Sequence, residues 1–372
     1  MTSRSVPFFN YPALFTQDEE RLTDVVMGVL RRGAYILQKD LAEFETALAK
    51  FTGAKHAIGM ADGTNAIVLG LLALDLPKGS EVILASHTYV ATAAAVHFAG
   101  HVPVPVDCGA DHMIDPKAIE GAITSRTRAV MPTQLNGRTS NMDAIREITK
   151  KHNLILIEDA AQALGSKFKG QGAGTFGAFG TISFYPSKLL GCFGDGGALL
   201  TNDDEIARKV RLLHDHGRNE NGVIVGWGTN CRLDNVQAAV LHYRLGFYDK
   251  IVARRRQMAS LYQARLGEIA DMSLPPAPDS DPNHFDVFQN YEIESGKRDA
   301  LRDHLKSNGI GTLIQWSGQP VHQIKELGLN RDCPATDRLF QRTFMLPMNM
   351  SLTDEDVGYV CDVIRGFYGL NS

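Results

Sequence analysis

Between His56 and Ala160 the chain repeats one arrangement, a short apolar run followed by a stretch of helical periodicity. HAIGMA leads into TNAIVLGLLAL, EVILAS into ATAAAVHFA, and HVPVPVD and RAVMPTQ precede DAIREITKKH and LILIEDA. Alternation of this kind predicts a parallel or mostly parallel sheet with helices on its faces. Ahead of it, Leu22, Val25, Val26, Val29 and Leu30, then Leu41, Phe44, Leu48 and Phe51, recur at helical spacing around a break at Arg32-Gly33.

The pattern changes after Gly180. TISFYP and GGALLTN read as strands, followed by helices over roughly 203–214 and 234–267. LPPAPDSDP is too rich in proline for a regular element and reads as a surface loop. A strand (DVFQNYEIE), a helix (KRDALRDHLKSNG) and a strand (TLIQW) then suffice for a smaller α/β lobe. The 372 residues exceed the roughly 250–300 at which single cores stop growing, so two lobes are expected. The expected division is a large domain over 1–245 and a small one over 246–372.

With 38 basic against 42 acidic residues the formal net charge is −4, which gives no overall field to attract nucleic acid or anionic lipid. The tightest basic run, Arg254-Arg255-Arg256, reads as a solvated helix face. Five scattered cysteines without a CxxC pair or a metal-ligand spacing fit reduced thiols and no metal site. No cationic stretch followed by an apolar one opens the chain at Met1–Asn10, and no apolar run reaches the roughly 20 residues of a membrane span, so a cytoplasmic protein is expected.

LILIEDAAQALG ends an apolar strand at Glu158-Asp159 and reads as starting a helix, which puts Asp159 at the carboxyl edge of the sheet, where open α/β sheets place ligands. Capping of that helix is the plainer role for Asp159. Downstream, TISFYPSKLLGCFGDGGALLTN sets Lys188 among aromatic residues and glycines, a setting that keeps an amine partly dry. A desolvated lysine has a lowered pKa and forms a Schiff base with an aldehyde, which suits pyridoxal 5'-phosphate. That cofactor needs an acid facing its ring nitrogen. Asp159 is the candidate, and Gln162, read on the same helix face, can aim its amide at the ring's phenolic oxygen. Gly63 and Thr64, at a turn opening a helix, supply phosphate donors. Ser183 adds a hydroxyl, and Tyr89 can stack on the ring. Gly172, Gly174 and Gly177 satisfy GxGxxG, the mark of a nicotinamide-type dinucleotide site, but a strand follows where such a site needs a helix.

The segments LAEFETALAKFTG, DGTNAI, SHTYVAT, IEDAAQALGS, SFYPSKLLGCFGDGGA, LLHDHGR and NCRLDNVQAAVL together resemble the DegT-type (DegT/DnrJ/StrS) pyridoxal-phosphate-dependent sugar aminotransferases. The resemblance spans nearly the whole chain. It implies the aspartate aminotransferase-like fold (fold type I): a large three-layer α/β/α domain with a mostly parallel sheet, plus a smaller C-terminal α/β domain. It also implies catalytic Lys188 and Asp159, L-glutamate and a keto sugar nucleotide as substrates, and a homodimer with shared active sites. Asn230 matches the asparagine that reaches the partner's cofactor phosphate, with helix capping as its plainer role. Lysine rather than histidine at 188 favours transamination over dehydration, and Tyr185 resembles the members acting at C3 of the sugar, with C4 as the alternative. Trp316 and His322 fall near the family's sugar-binding loop, with a core tryptophan and a surface histidine as equally good readings. Gln134 and Asp62 depart from the family pattern near the expected pocket. A cofactor-binding regulatory protein without turnover is the rival from another class.

Overall fold

The structure, a computed structural model, describes residues 4–370. Met1–Ser3 of the N-terminal stretch read above fall outside it, as do the last two residues.

In chain order the strands are β1 (His56–Met60), β2 (Glu81–Ala85), β3 (Val102–Val106), β4 (Thr127–Met131), β5 (Ile155–Leu156), β6 (Glu158–Asp159), β7 (Lys167–Phe168), β8 (Gln171–Gly172), β9 (Gly180–Ser183), β10 (Gly197–Thr201), β11 (Met272–Ser273), β12 (His284–Phe285), β13 (Tyr291–Ser295) and β14 (Thr343–Leu346). Two four-stranded ladders, β1-β10-β9-β6 and β3-β2-β4-β5, meet because β5 and β6 are one strand interrupted at Ile157. A bridge from Thr133 to Asp159 and the bond from Asp159 N to Pro132 O close the join, so the main sheet is seven strands wide. Only β10 runs against its neighbours.

Both faces are covered, as the apolar strands demand. Along β2, Val82 and Leu84 enter a core with helices Gly63–Ala73, Val90–Phe98 and Asp204–Leu213, while Ile83 and Ala85 enter another with helices Pro116–Gly121 and Met142–Lys151. A further core, around Tyr262, Tyr291, Phe344 and Val360, gathers the β11-β13-β14 sheet under helices Tyr248–Leu266, Arg298–Ser307 and Asp354–Phe367, and it draws in Val6 from the N-terminal segment. All five cysteines are free and buried. No helix of the described residues is long and apolar enough to cross a membrane.

Several sequence expectations change here. The helix expected over 234–267 breaks into Asn235–Leu245 and Tyr248–Leu266 at Gly246-Phe247. DVFQNYEIE is extended as a strand only from Tyr291, because Phe288 takes a left-handed φ of 52°. TLIQW makes one bridge, Leu313 to Met345, and then turns, with Trp316 at φ 49° and Ser317 at φ 59°. The basic run is not a solvated face: Arg255 is buried, and desolvation lowers its guanidinium to about 10, while Arg254 and Arg256 pair with Asp354 and Asp279. The glycines of the GxGxxG pattern serve packing. A Cβ at Gly177 would sit 2.2 Å from Leu156 O, and one at Gly180 2.3 Å from Gly174 Cα.

Candidate active site

The parallel strands end along one edge of the sheet, and the segments leaving them wall a cavity of about 510 Å³. Gly63, Thr64, Tyr89, Asp159, Gln162, Ser183, Tyr185, Lys188 and Trp316 all line it. Two other candidates do not. His322 is buried, its Nδ1 2.6 Å from Ser86 Oγ and its Nε2 2.9 Å from Asp337 Oδ1, so its ring is committed to holding two loops together. Asn230 bridges Asp215 on an exposed arm and is not among the residues that line the cavity.

Asp159 ends β6 and is anchored at both oxygens: Oδ2 accepts from Thr92 Oγ1 at 2.7 Å and Oδ1 from Ala161 N at 3.1 Å. Thr92 belongs to a buried hydroxyl chain with Thr88 and, through it, Thr133. The helix expected after Asp159 does not form. Ala160 N stays on the sheet by bonding Thr181 O, and Gly165 at φ 84° turns the chain. Gln162 therefore sits on a turn, where its Oε1 accepts from Asn136 N at 2.9 Å and Asn290 Nδ2 at 3.4 Å. Among the described residues nothing takes up its amide NH₂, and Gln162 lines the cavity.

Lys188 follows β9 in a turn closed by its own N–H bonding Tyr185 O. Among the described residues no hydrogen bond or ion pair holds its Nζ, and desolvation lowers its amine to about 8, with the nearby Asp159 charge opposing the shift. At the other end, Asp62 caps helix Gly63–Ala73 by accepting from Asn65 N at 2.8 Å. Among the described residues nothing accepts from the N–H groups of Gly63 and Thr64, as is usual for the first groups of a helix unless something outside it accepts from them. Gly197 makes the turn possible: a Cβ there would lie 2.4 Å from Asp62 C and 2.6 Å from Gly63 N. Gln134, read as near the pocket, lies behind it, donating at 2.7 Å to the fully buried Glu158, whose carboxyl is pushed up by burial.

Sequence reading missed Thr92 and Gln289. Thr92 is the polar position in the otherwise apolar ATAAAV, which is a legible signal. Gln289, more than a hundred residues from Lys188, offered none.

A match to the description "DegT/DnrJ/EryC1/StrS aminotransferase family" covers residues 16–365. The chain belongs to the DegT/DnrJ/EryC1/StrS aminotransferase family. It is a sugar aminotransferase with the aspartate aminotransferase-like fold, and pyridoxal phosphate is the family's cofactor. Among its relatives, dTDP-3-amino-3,4,6-trideoxy-alpha-D-glucose transaminase of Streptomyces venezuelae is 37% identical over 98% of both chains. The pleiotropic regulatory protein of Geobacillus stearothermophilus is 36% identical over 98% of this chain and 99% of its own. The crystal structure of S. venezuelae DesV in complex with a ketimine intermediate superposes with a TM-score of 0.93 at 36% identity, covering 98% of each chain.

Proposed function

We propose that this aminotransferase moves an amino group from L-glutamate to a nucleotide-linked keto sugar, at C3 of a 3-keto sugar, and works as a homodimer with shared active sites. One observation carries the reading: Lys188 offers an amine unpaired among the described residues, at about 8, to the same cavity that the anchored Asp159 lines.

The donor set fits pyridoxal phosphate. The unused N–H groups of Gly63 and Thr64 and the hydroxyls of Thr64 and Ser183 suit a phosphate at a helix N-terminus. Asp159 suits a protonated ring nitrogen, the Gln162 amide suits a ring oxygen, and Tyr89 offers an aromatic face. When bound, this cofactor supplies an aldehyde carbon and a ring that takes up the electron pair of a breaking C–H bond. The neutral amine of Lys188 is the nucleophile that holds such an aldehyde. Once free, Lys188 Nζ removes the proton from the amino donor's Cα and later returns one, as general base and then acid.

The C3 assignment is supported by Tyr185 at the cavity wall and by the 3-amino sugar in the name of the Streptomyces relative. The dimer is supported by the arm that carries Asn230, where Val223, Ile224 and Val225 are exposed and Trp227 is 97% exposed; apolar patches of this kind mark interaction surfaces. A large domain over 1–245 and a small one over 246–372 is supported by the core around Tyr262 and Phe344, though Val6 joins that core and Tyr248, Ile251 and Val252 pack with the first part.

The test is the visible absorption of purified protein with pyridoxal phosphate, titrated with L-glutamate, alongside Lys188→Ala. A visible band that bleaches with glutamate in the wild type and is missing as a lysine adduct in the variant is expected. A band that glutamate leaves untouched points instead to a regulatory protein without turnover. Sedimentation of the wild type against Trp227→Asp tests the dimer, which should weaken in the variant.

A further inference from the structure

Glu292, on β13 of the second sheet, is 3% exposed. Among the described residues no lysine or arginine pairs with it. A buried carboxylate is costly unless a cation and hydrogen bonds satisfy it, and the His112 imidazole, raised to about 9, supplies the charge. Here Oε2 accepts from Asn136 Nδ2 at 3.2 Å and lies 3.2 Å from His112 Nδ1, while Oε1 accepts from Gln315 Nε2 at 3.0 Å and has His87 Nε2 3.6 Å away. His87, His112 and Asn136 sit on the segments that leave β2, β3 and β4, so one carboxylate of the smaller sheet plugs into the carboxyl edge of the larger one.

The contacts continue to the cavity. Asn136 takes a left-handed φ of 55°, a conformation asparagine tolerates better than most residues. Its side-chain Oδ1 is pinned by Asn290 Nδ2 at 2.8 Å and Gln315 Nε2 at 2.7 Å, and its main-chain N–H holds Gln162 Oε1 at 2.9 Å. Gln315 in turn precedes Trp316, whose ring packs on His87 at 5.2 Å between centroids. The Glu292 carboxylate therefore stands one residue behind two walls of the cavity without lining it.

We propose that Glu292 is a positioning residue of the transamination reaction: by fixing Asn136 it sets the direction in which the Gln162 amide donates into the cavity. This rests on the cofactor reading above. Glu292→Gln tests it sharply: Asn136 and Gln315 donate to different carboxylate oxygens, and an amide puts a donating NH₂ in place of one of them, so one of the two bonds is lost.

The experiment is the pH titration of the visible band of enzyme with pyridoxal phosphate bound, together with steady-state kinetics, for wild type, Glu292→Gln, Gln162→Ala and the double variant. Glu292→Gln should keep the band but shift its midpoint by about one pH unit. Its kcat should fall on the order of tenfold to a hundredfold, with the KM for glutamate little changed. The double variant should be no worse than Gln162→Ala alone, since both changes act through one contact. Asn136→Gly, which keeps the backbone conformation and removes the link, should shift the midpoint in the same way even if Glu292→Gln does not fold. An unshifted midpoint in Asn136→Gly, or losses that add fully in the double variant, overturns the proposal and leaves the aminotransferase reading intact. A wild type that takes up no pyridoxal phosphate overturns both.

Discussion

Gln289 grips the main chain on both sides of Lys188: its Oε1 accepts from Leu189 N at 2.9 Å, and its Nε2 donates to Ser187 O at 2.9 Å. The amide is buried and comes from the segment just before β13, so the position of the Lys188 amine is set by a residue about a hundred positions further along the chain. Gln289→Ala frees two main-chain groups and should lower kcat on the order of tenfold to a hundredfold through misplacement of Lys188. Single-turnover kinetics with the cofactor saturating will show whether the loss lies in chemistry; an unchanged rate would mean that the turn holds itself.

The amine of Lys188 should act as a nucleophile at a pH where ordinary lysines do not. Only the neutral form attacks an aldehyde, so capture of pyridoxal phosphate by the apoenzyme should rise with pH and level off above about 8, against 10.5 for a free lysine. Below that point the rate should fall about tenfold per pH unit. Because the Asp159 charge holds the value up, Asp159→Asn should move the half-point lower still. Stopped-flow absorbance across pH measures both, and a half-point near the ordinary lysine value would contradict the assignment.

Gly197 pairs with Met60 on one side and Ser183 on the other, and its missing Cβ makes room for the turn at Asp62-Gly63. All three atoms that a Cβ would strike are main chain, so none can swing aside. Gly197→Ala should cost about 1–3 kcal/mol in urea unfolding. It should also weaken cofactor retention by displacing the unused N–H groups of Gly63 and Thr64, which gel filtration followed by absorbance will report.

His112 lies between Glu292 and Glu294, and those two carboxylates outweigh its desolvation and raise its imidazole to about 9. A histidine raised from 6.5 stabilises the fold fully below that value, and the contribution fades as pH rises toward about 9. The difference in unfolding free energy between wild type and His112→Gln should therefore be largest near pH 6, at about 2 kcal/mol, and shrink at alkaline pH. A difference that stays constant with pH would show that the ring acts without its charge.

The βα alternation, the edge position of Asp159 and the lysine set among glycines were legible in the sequence because each depends on residues near one another along the chain. A strand with no polar position has to be buried on both faces wherever it lies, and a strand end followed by Asp159 belongs at the edge of the sheet. Where local signals misled, a distant partner had overruled them. Ala160 to Ala163 have helical composition, yet the bond from Ala160 N to Thr181 O holds the segment on the sheet and turns Gln162 onto a loop. The basic run looked solvated until Tyr248 and Tyr262 were packed around Arg255.

Local periodicity and turn chemistry by themselves determined the layers of the fold, the edge that carries the cavity, and the placing of Lys188 and Asp159 on its wall. Tertiary structure alone decided how that pair is held. Gln289 lies about a hundred residues from Lys188, and Glu292 lies 156 from Asn136. A buried carboxylate or amide takes whichever donors the fold brings within about 3 Å, irrespective of their separation in sequence.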